Sequence, residues 1–351
     1  MKLKPLNING ISAKLPIVQG GMGVGVSLSR LAGAVATEGG VGVISAAHPG
    51  YNLPEFATNP LKANLDALAH HIRVAKEKAR GGLIGVNIMC AMRDYVEYVK
   101  CSIANKADLI ISGAGLPSAL PELVCDSEVR IAPIVSSAKA ATVLLKLWDR
   151  KYSKTADMVV IEGPKAGGHL GFSAEELAQD VNFDAAVTDI LAVVAEYEGK
   201  YKREIPVVFG GGVQTKADVQ HYMNLGCAGV QISTPFVATE ECDAHENFKL
   251  AYVNACKEDV VIVKSPVGMP GRALNNKFIR DVSARGLIAI DKCNACITSC
   301  NPKSTPYCIT QALINSVYGD VDNGLIFCGD EVDKIDRIST VRDVMGKLVG
   351  D

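Results

Sequence analysis

The residues best placed to do chemistry lie in the stretch Ile161-Glu162-Gly163-Pro164-Lys165-Ala166-Gly167-Gly168-His169-Leu170-Gly171, where glycines surround one histidine. Glycine lets backbone approach a flat ligand closely, because no Cβ intervenes. An imidazole with an unperturbed pKa of about 6.5 can take or give a proton at neutral pH. The apolar run before this stretch, residues 157–161, reads as a short buried strand, and ligands of α/β folds sit at the carboxyl ends of such strands. Other apolar runs end in similar ways. Gly20-Gly21-Met22-Gly23 follows residues 16–19, Asn87 lies near the end of 83–88, Gly210-Gly211-Gly212 follows 205–209, and Gln231-Ile232-Ser233-Thr234 ends the run that begins at 229. The bare N–H groups of Gly211 and Gly212, beside the hydroxyls of Ser233 and Thr234, suit a phosphate. A phosphorylated planar cofactor fits this set, and FMN is the natural candidate.

A second constellation is Cys293, Cys296, Cys300 and Cys308, four thiols within 16 residues. Such spacing can ligate a [4Fe–4S] cluster or zinc. Cys90, Cys101, Cys125, Cys227, Cys242 and Cys256 read as small buried hydrophobes in a reducing compartment. The odd total of 11 argues against a disulfide framework. The start, Met1-Lys2-Leu3-Lys4-Pro5, lacks the apolar core of an export signal, so the expectation is a cytoplasmic protein. His48 follows a strand-like run and could line the same pocket as His169, whereas His70, His71, His221 and His245 read as surface residues. Lys165 reads as solvent-facing. Arg272 reads as a structural bridge between tail and body.

The elements that must position these residues alternate regularly. Runs rich in valine and isoleucine at 16–19, 41–45, 83–88, 108–112, 129–135, 157–161, 205–209 and 229–232 read as buried parallel strands. Helical stretches separate them, at 27–36, 61–79, 92–104, 117–124, 138–148, 185–197, 215–225 and 247–256. Eight strand–helix units predict a TIM (β/α)₈ barrel, with a doubly wound open sheet as the competing architecture. Residues 1–258 would form the FMN-binding barrel. Residues 259–351 would form a cysteine-containing helical extension packed on it, with a strand at 260–263, a turn-rich segment at 266–274 and helices at 308–317 and 341–348. The chain is 48% hydrophobic and 21% charged, with a net charge of -2. No basic run points to nucleic acid, and no apolar run reaches the roughly 18 residues of a membrane span. The expected partner is a small molecule, with homodimer formation left open.

Taken in order, Ile17-Val18-Gln19-Gly20-Gly21-Met22, Gly85-Val86-Asn87 and residues 162–171, 206–213 and 231–240 resemble the nitronate monooxygenase (2-nitropropane dioxygenase) family. That family also contains flavin-dependent enoyl-ACP reductases. The resemblance implies an FMN-bearing TIM barrel in which Gly21, Met22, Asn87, Glu162, Gly168, Gly211, Gly212, Gln231, Ser233 and Thr234 contact FMN. It implies His169 as the catalytic residue. The activity implied is oxidation of alkyl nitronates or nitroalkanes with O₂, with His169 as base. The alternative is NAD(P)H-dependent reduction of an enoyl thioester, and a third reading is a non-catalytic flavin-binding barrel. Two departures stand out. The family usually has Gln-x-Gly-Thr where this chain has Gln231-Ile232-Ser233-Thr234, and often Glu-Ala or Glu-Ser where it has Lys165-Ala166. Cys293-x-x-Cys296-x-x-x-Cys300 resembles the cluster loop of FMN barrel reductases related to dienoyl-CoA reductase.

Overall fold

The computed structural model describes residues 3–179 and 182–350. It opens with an antiparallel hairpin, β1 (Leu6–Ile8) and β2 (Ile11–Ala13). Asn9 and Gly10 turn it with positive φ at both positions, the conformation an Asn-Gly hairpin turn needs. The strands that follow are β3 (Ile17–Gln19), β4 (Val41–Ser45), β5 (Leu83–Met89), β6 (Leu109–Gly113), β7 (Arg130–Val135) and β8 (Val159–Glu162). A two-residue strand, β9 (Gly168–His169), lies in the next loop and is followed by β10 (Val207–Gly210) and β11 (Gly229–Ile232). Without β9, these strands close into a parallel barrel in the order β10-β11-β3-β4-β5-β6-β7-β8, with β8 pairing back to β10. The eight units read from the sequence therefore form a TIM barrel.

Side chains alternate across each strand, and the barrel uses both faces. Val18, Val41, Val43, Ile111, Val160 and Val208 share one apolar cluster with Leu6 and Ile8 of the hairpin. The hairpin thus packs with the barrel interior, each buried aliphatic contributing about 1.5–3 kcal/mol. Ile44, Ile84, Val86, Ile110 and Ile161 belong instead to the larger cluster that includes helix residues such as Leu31, Leu68, Leu144 and Trp148.

The tail adds β12 (Val260–Lys264) and β13 (Pro270–Leu274), antiparallel to one another, and β13 also pairs with β9. Gly271 faces His169 and Arg272 faces Gly168 in that register. The segment expected to be turn-rich, 266–274, ends as a strand, because β9 and β12 give its backbone groups partners on both sides. The helix expected from residue 92 begins at Tyr95. Its first residues are held elsewhere: Arg93 N–H donates to the Cys296 carbonyl at 3.1 Å, and Met92 bridges to Ile297. A helix at Lys277–Arg285, capped by the Asn276 side chain, was not foreseen.

Candidate active site

The parallel register brings the chemistry to one rim. Gln231 pairs with Gly210, and Gly210 pairs with Glu162, so three neighbouring strands present these residues at the same level. Gly21, Met22, Asn87, Glu162, Gly168, His169, Gly211, Gly212, Gln231, Ser233 and Thr234 all line a single cavity there. Close approach explains two of the glycines: a Cβ at Gly20 would overlap Ser233, and one at Gly21 would overlap Asn87. Gly211 and Gly212 take φ of +126° and +78°, backbone that side-chain-bearing residues rarely adopt. Gly168, at φ +76°, has open space where a Cβ would stand.

His169 is set by the tail. Its Nε2 lies 2.7 Å from Ser265 Oγ, and its ring meets Phe327 edge-on with centroids 4.9 Å apart. Ser265 is buried, and its oxygen also accepts the Val267 N–H at 3.3 Å. Burial pushes the His169 pKa down to about 4, so the imidazole is neutral at pH 7. Glu162 shifts the other way. Burial raises its pKa to about 7, against the opposing pull of the Gly171 N–H, which donates to Glu162 Oε2 at 2.7 Å.

Arg272 anchors the glycine–histidine loop from below. Its buried guanidinium donates to the carbonyls of Pro164, at 2.8 Å, and Ala166, and stands 3.6 Å from Asp330. This is the bridge expected of it. Lys165 is about half exposed at the rim and pairs with Glu331 at 3.2 Å. The segment carrying Glu331 also closes on the eighth strand's turn, with the Gly329 N–H donating to Thr234 Oγ1 at 3.1 Å.

His48 does not line the cavity. It is buried between Asn64 Nδ2 and Thr310 Oγ1, each 3.0 Å from a ring nitrogen, and burial holds its pKa down at about 4. It ties the second strand's turn to a tail helix. His71, read as a surface residue, is half-buried against Ser29 Oγ at 3.0 Å, with its pKa also lowered to about 4 by burial.

The cysteine cluster gains no such support. Among the described residues, no three His, Cys, Asp or Glu side chains are arranged to hold a metal ion. The [4Fe–4S] or zinc centre that the spacing of Cys293, Cys296, Cys300 and Cys308 suggests therefore finds no support in this arrangement. Cys293 is exposed, while Cys296 and Cys300 pack against an apolar cluster containing Phe278, Ile297 and Tyr307. Burial raises the Cys296 and Cys308 pKa values, so without a metal both are thiols.

Sequence reasoning missed Ser265, Phe327 and Cys328, tail residues that reach the mouth. Cys328 is buried, lines the cavity and is pushed up to about 12 by burial, so it is a neutral thiol. Tyr252 also lines the cavity and donates to the Phe327 carbonyl. No local pattern marks these residues, because each reaches the site through pairing distant in sequence.

The fold and rim define a (β/α)₈ barrel with one ligand-binding mouth, at the face where such barrels carry their sites. The chain belongs to the nitronate monooxygenase family, whose sequence model matches residues 4–351. A probable nitronate monooxygenase of Staphylococcus saprophyticus is 26% identical over 305 residues, covering 81% of this chain and 82% of that protein. A Rhodococcus jostii protein named (3aS,4S,5R,7aS)-5-hydroxy-7a-methyl-1-oxo-octahydro-1H-indene-4-carboxyl-CoA dehydrogenase is 27% identical over 286 residues, covering 80% and 69%. Among solved structures, FabK from Thermotoga maritima superposes with a TM-score of 0.72 at 25% identity, over 96% of this chain and 92% of that one. A nitroalkane oxidase from Streptomyces ansochromogenes gives 0.72 at 19% identity over 96% and 95%, which shows the shared fold. Family membership makes the chain an oxidoreductase. No helix among the described residues is long and apolar enough to cross a membrane.

Proposed function

We propose that the chain is an FMN-dependent oxidoreductase that oxidises alkyl nitronates or nitroalkanes with O₂. One observation carries the cofactor assignment: Gln231 Oε1 is buried with no hydrogen-bond partner among the described residues. A buried amide oxygen left unpaired costs about 1–3 kcal/mol. An N–H or hydroxyl of a bound flavin would satisfy it. The glycine turns at 20–21 and 211–212 leave room for a flat ring beside it, and the Ser233 and Thr234 turn offers a phosphate end. Gly21, Met22, Asn87, Glu162 and Gly168 would line the ring, with Gly211, Gly212, Ser233 and Thr234 nearer the phosphate. When bound, FMN supplies the electron and O₂ chemistry that side chains lack.

The chain's own residues supply position and proton handling. His169, neutral and oriented by Ser265, has a ring nitrogen able to take a proton from the carbon beside a nitro group. Phe327 and the tail strands exclude water around it. The second reading is NAD(P)H-dependent reduction of an enoyl thioester. It is favoured by the Rhodococcus relative, whose name describes a carboxyl-CoA compound. There His169 would donate a hydrogen bond to the thioester carbonyl. The two separate with FMN-loaded protein under anaerobic conditions. Bleaching by ethyl nitronate without nicotinamide supports the first, and bleaching by NADH or NADPH alone supports the second. If Gln231→Leu binds FMN as tightly as the unaltered protein, the cofactor assignment is wrong.

A further inference from the structure

Glu162 is a carboxyl in the cavity wall without a cation. It ends β8, between the strand ends of β7 and β10. Oε2 is pinned by the Gly171 N–H at 2.7 Å, two residues after His169, and Oε1 makes no hydrogen bond among the described residues. β10 carries no ionisable side chain, and the β7 end brings Ser136, whose hydroxyl donates to the Gly171 carbonyl at 3.0 Å. The other ionisable groups around the mouth are engaged elsewhere. Lys165 pairs with Glu331, Arg272 and Lys257 pair with Asp330, and His169 is held by Ser265. Cys328 is a neutral thiol, and the Tyr252 hydroxyl donates to Phe327. Among the described residues, this carboxyl in the cavity wall thus has one free oxygen and no cation to hold it ionised.

We propose that Glu162 is the proton store of the barrel mouth, holding on Oε1 the proton that a neutral, Ser265-bound His169 cannot retain. The inference rests on the mouth being the reaction site. When a bound carbon acid loses its C–H proton, the electron pair stays on the substrate and the proton ends as an O–H on Glu162. In the reverse direction that O–H breaks, its pair stays on the carboxylate, and the proton returns to the bound molecule. His169, whose pKa burial lowers to about 4, orients the substrate and passes the proton on. Glu162, raised to about 7, can be loaded and emptied at working pH.

Glu162→Gln keeps the shape and can still accept the Gly171 N–H, but it cannot hold the proton. In FMN-loaded protein turning over a nitroalkane, whose C–H proton must leave, the pH profile of kcat should carry a limb near neutrality. In the Gln variant that limb should vanish and turnover should fall by about 10²-fold, the usual weight of a positioned acid–base group. Glu162→Asp should restore part of the activity together with a limb. An unchanged profile with turnover within about twofold in Glu162→Gln overturns the proposal. An infrared titration needs neither substrate nor cofactor, so it separates failure of this inference from failure of the flavin reading. The difference between unaltered and Gln protein should contain a protonated carboxyl band that is present at pH 6 and lost by pH 8 (about one unit either side of neutrality). A carboxyl already fully ionised at pH 6 sinks the idea, even in protein that takes up no FMN.

Discussion

Replacing Arg272 by alanine tests how the tail holds the His169 loop. The guanidinium donates to the Pro164 and Ala166 carbonyls, which close the turn carrying Gly167, Gly168 and His169. Hydrogen bonds from a charged donor are worth about 1.5–3 kcal/mol each. Asp330 would keep Lys257 at 2.8 Å, so the substitution does not leave a buried carboxylate alone. The loss should therefore be about 3–5 kcal/mol, the two carbonyl bonds with little added for the ion pair. With an unfolding entropy of roughly 0.7 kcal/mol/K for a chain of this length, Tm should fall by about 4–7 °C. FMN affinity should weaken as well, because the loop forms one wall of the cavity. Both carbonyls accept from the single Nη1, so Arg272→Lys should recover part of the loss: an ammonium also carries several donors but leaves Asp330 without the Nε group. Calorimetry with a parallel flavin titration reads both effects. A Tm within about 1 °C of the unaltered protein and unchanged FMN binding would refute the claim that this residue anchors the loop.

Ser265→Ala removes the His169 Nε2 partner without touching the cavity glycines, so FMN content should hold while turnover drops by roughly tenfold, the weight of one positioning hydrogen bond of about 1.4 kcal/mol. An equal loss of flavin content would mean that Ser265 supports the fold rather than the ring. His48, His71 and His169 are each held down at about 4 by burial, so the unfolded chain binds protons that the folded chain refuses between about 6.5 and 4. Each therefore removes stability as pH falls through that window, by about 1.4 kcal/mol per unit. Glu162, raised to about 7, works in the opposite sense and offsets one of the three between its unfolded pKa and 7. Urea midpoints should drop from pH 7 to pH 5, and His48→Gln should lessen the drop; a flat dependence in the unaltered protein contradicts the burial argument. Cys293→Ser and Cys296→Ser should leave the visible spectrum unchanged. Stoichiometric iron, sulfide or zinc in anaerobically purified protein would show that the thiols converge in a way the fold does not provide.

The barrel was readable because its strands are buried on both faces, which leaves continuous apolar runs such as Val41-Gly42-Val43-Ile44. The rim was readable for a related reason. A parallel barrel puts every strand's carboxyl end on one face, so Asn87, Glu162, Gly210 and Gln231 had to come together. The tail was much less so. β13 pairs with β9 about 100 residues earlier, and Gly168-His169 carries no strand pattern of its own. The β1–β2 hairpin was missed although Asn9-Gly10 announces it, because three-residue strands are too short for periodicity to register. His48 and His169 look alike in sequence, each following a strand-like run. Only packing separates a histidine enclosed by Asn64 and Thr310 from one that lines the cavity. The cysteines show the converse limit: spacing along the chain is local, whereas metal binding needs several ligands around one point, and no such group is found among the described residues.

The most direct test of the account is the anaerobic visible spectrum of the FMN-loaded protein mixed with ethyl nitronate alone. The account predicts uptake of one FMN per chain, loss of the oxidised flavin bands on adding nitronate, and their return on admitting O₂. A protein that binds no FMN, or a bound flavin that nitronate leaves unchanged while NADH or NADPH bleaches it, would contradict it.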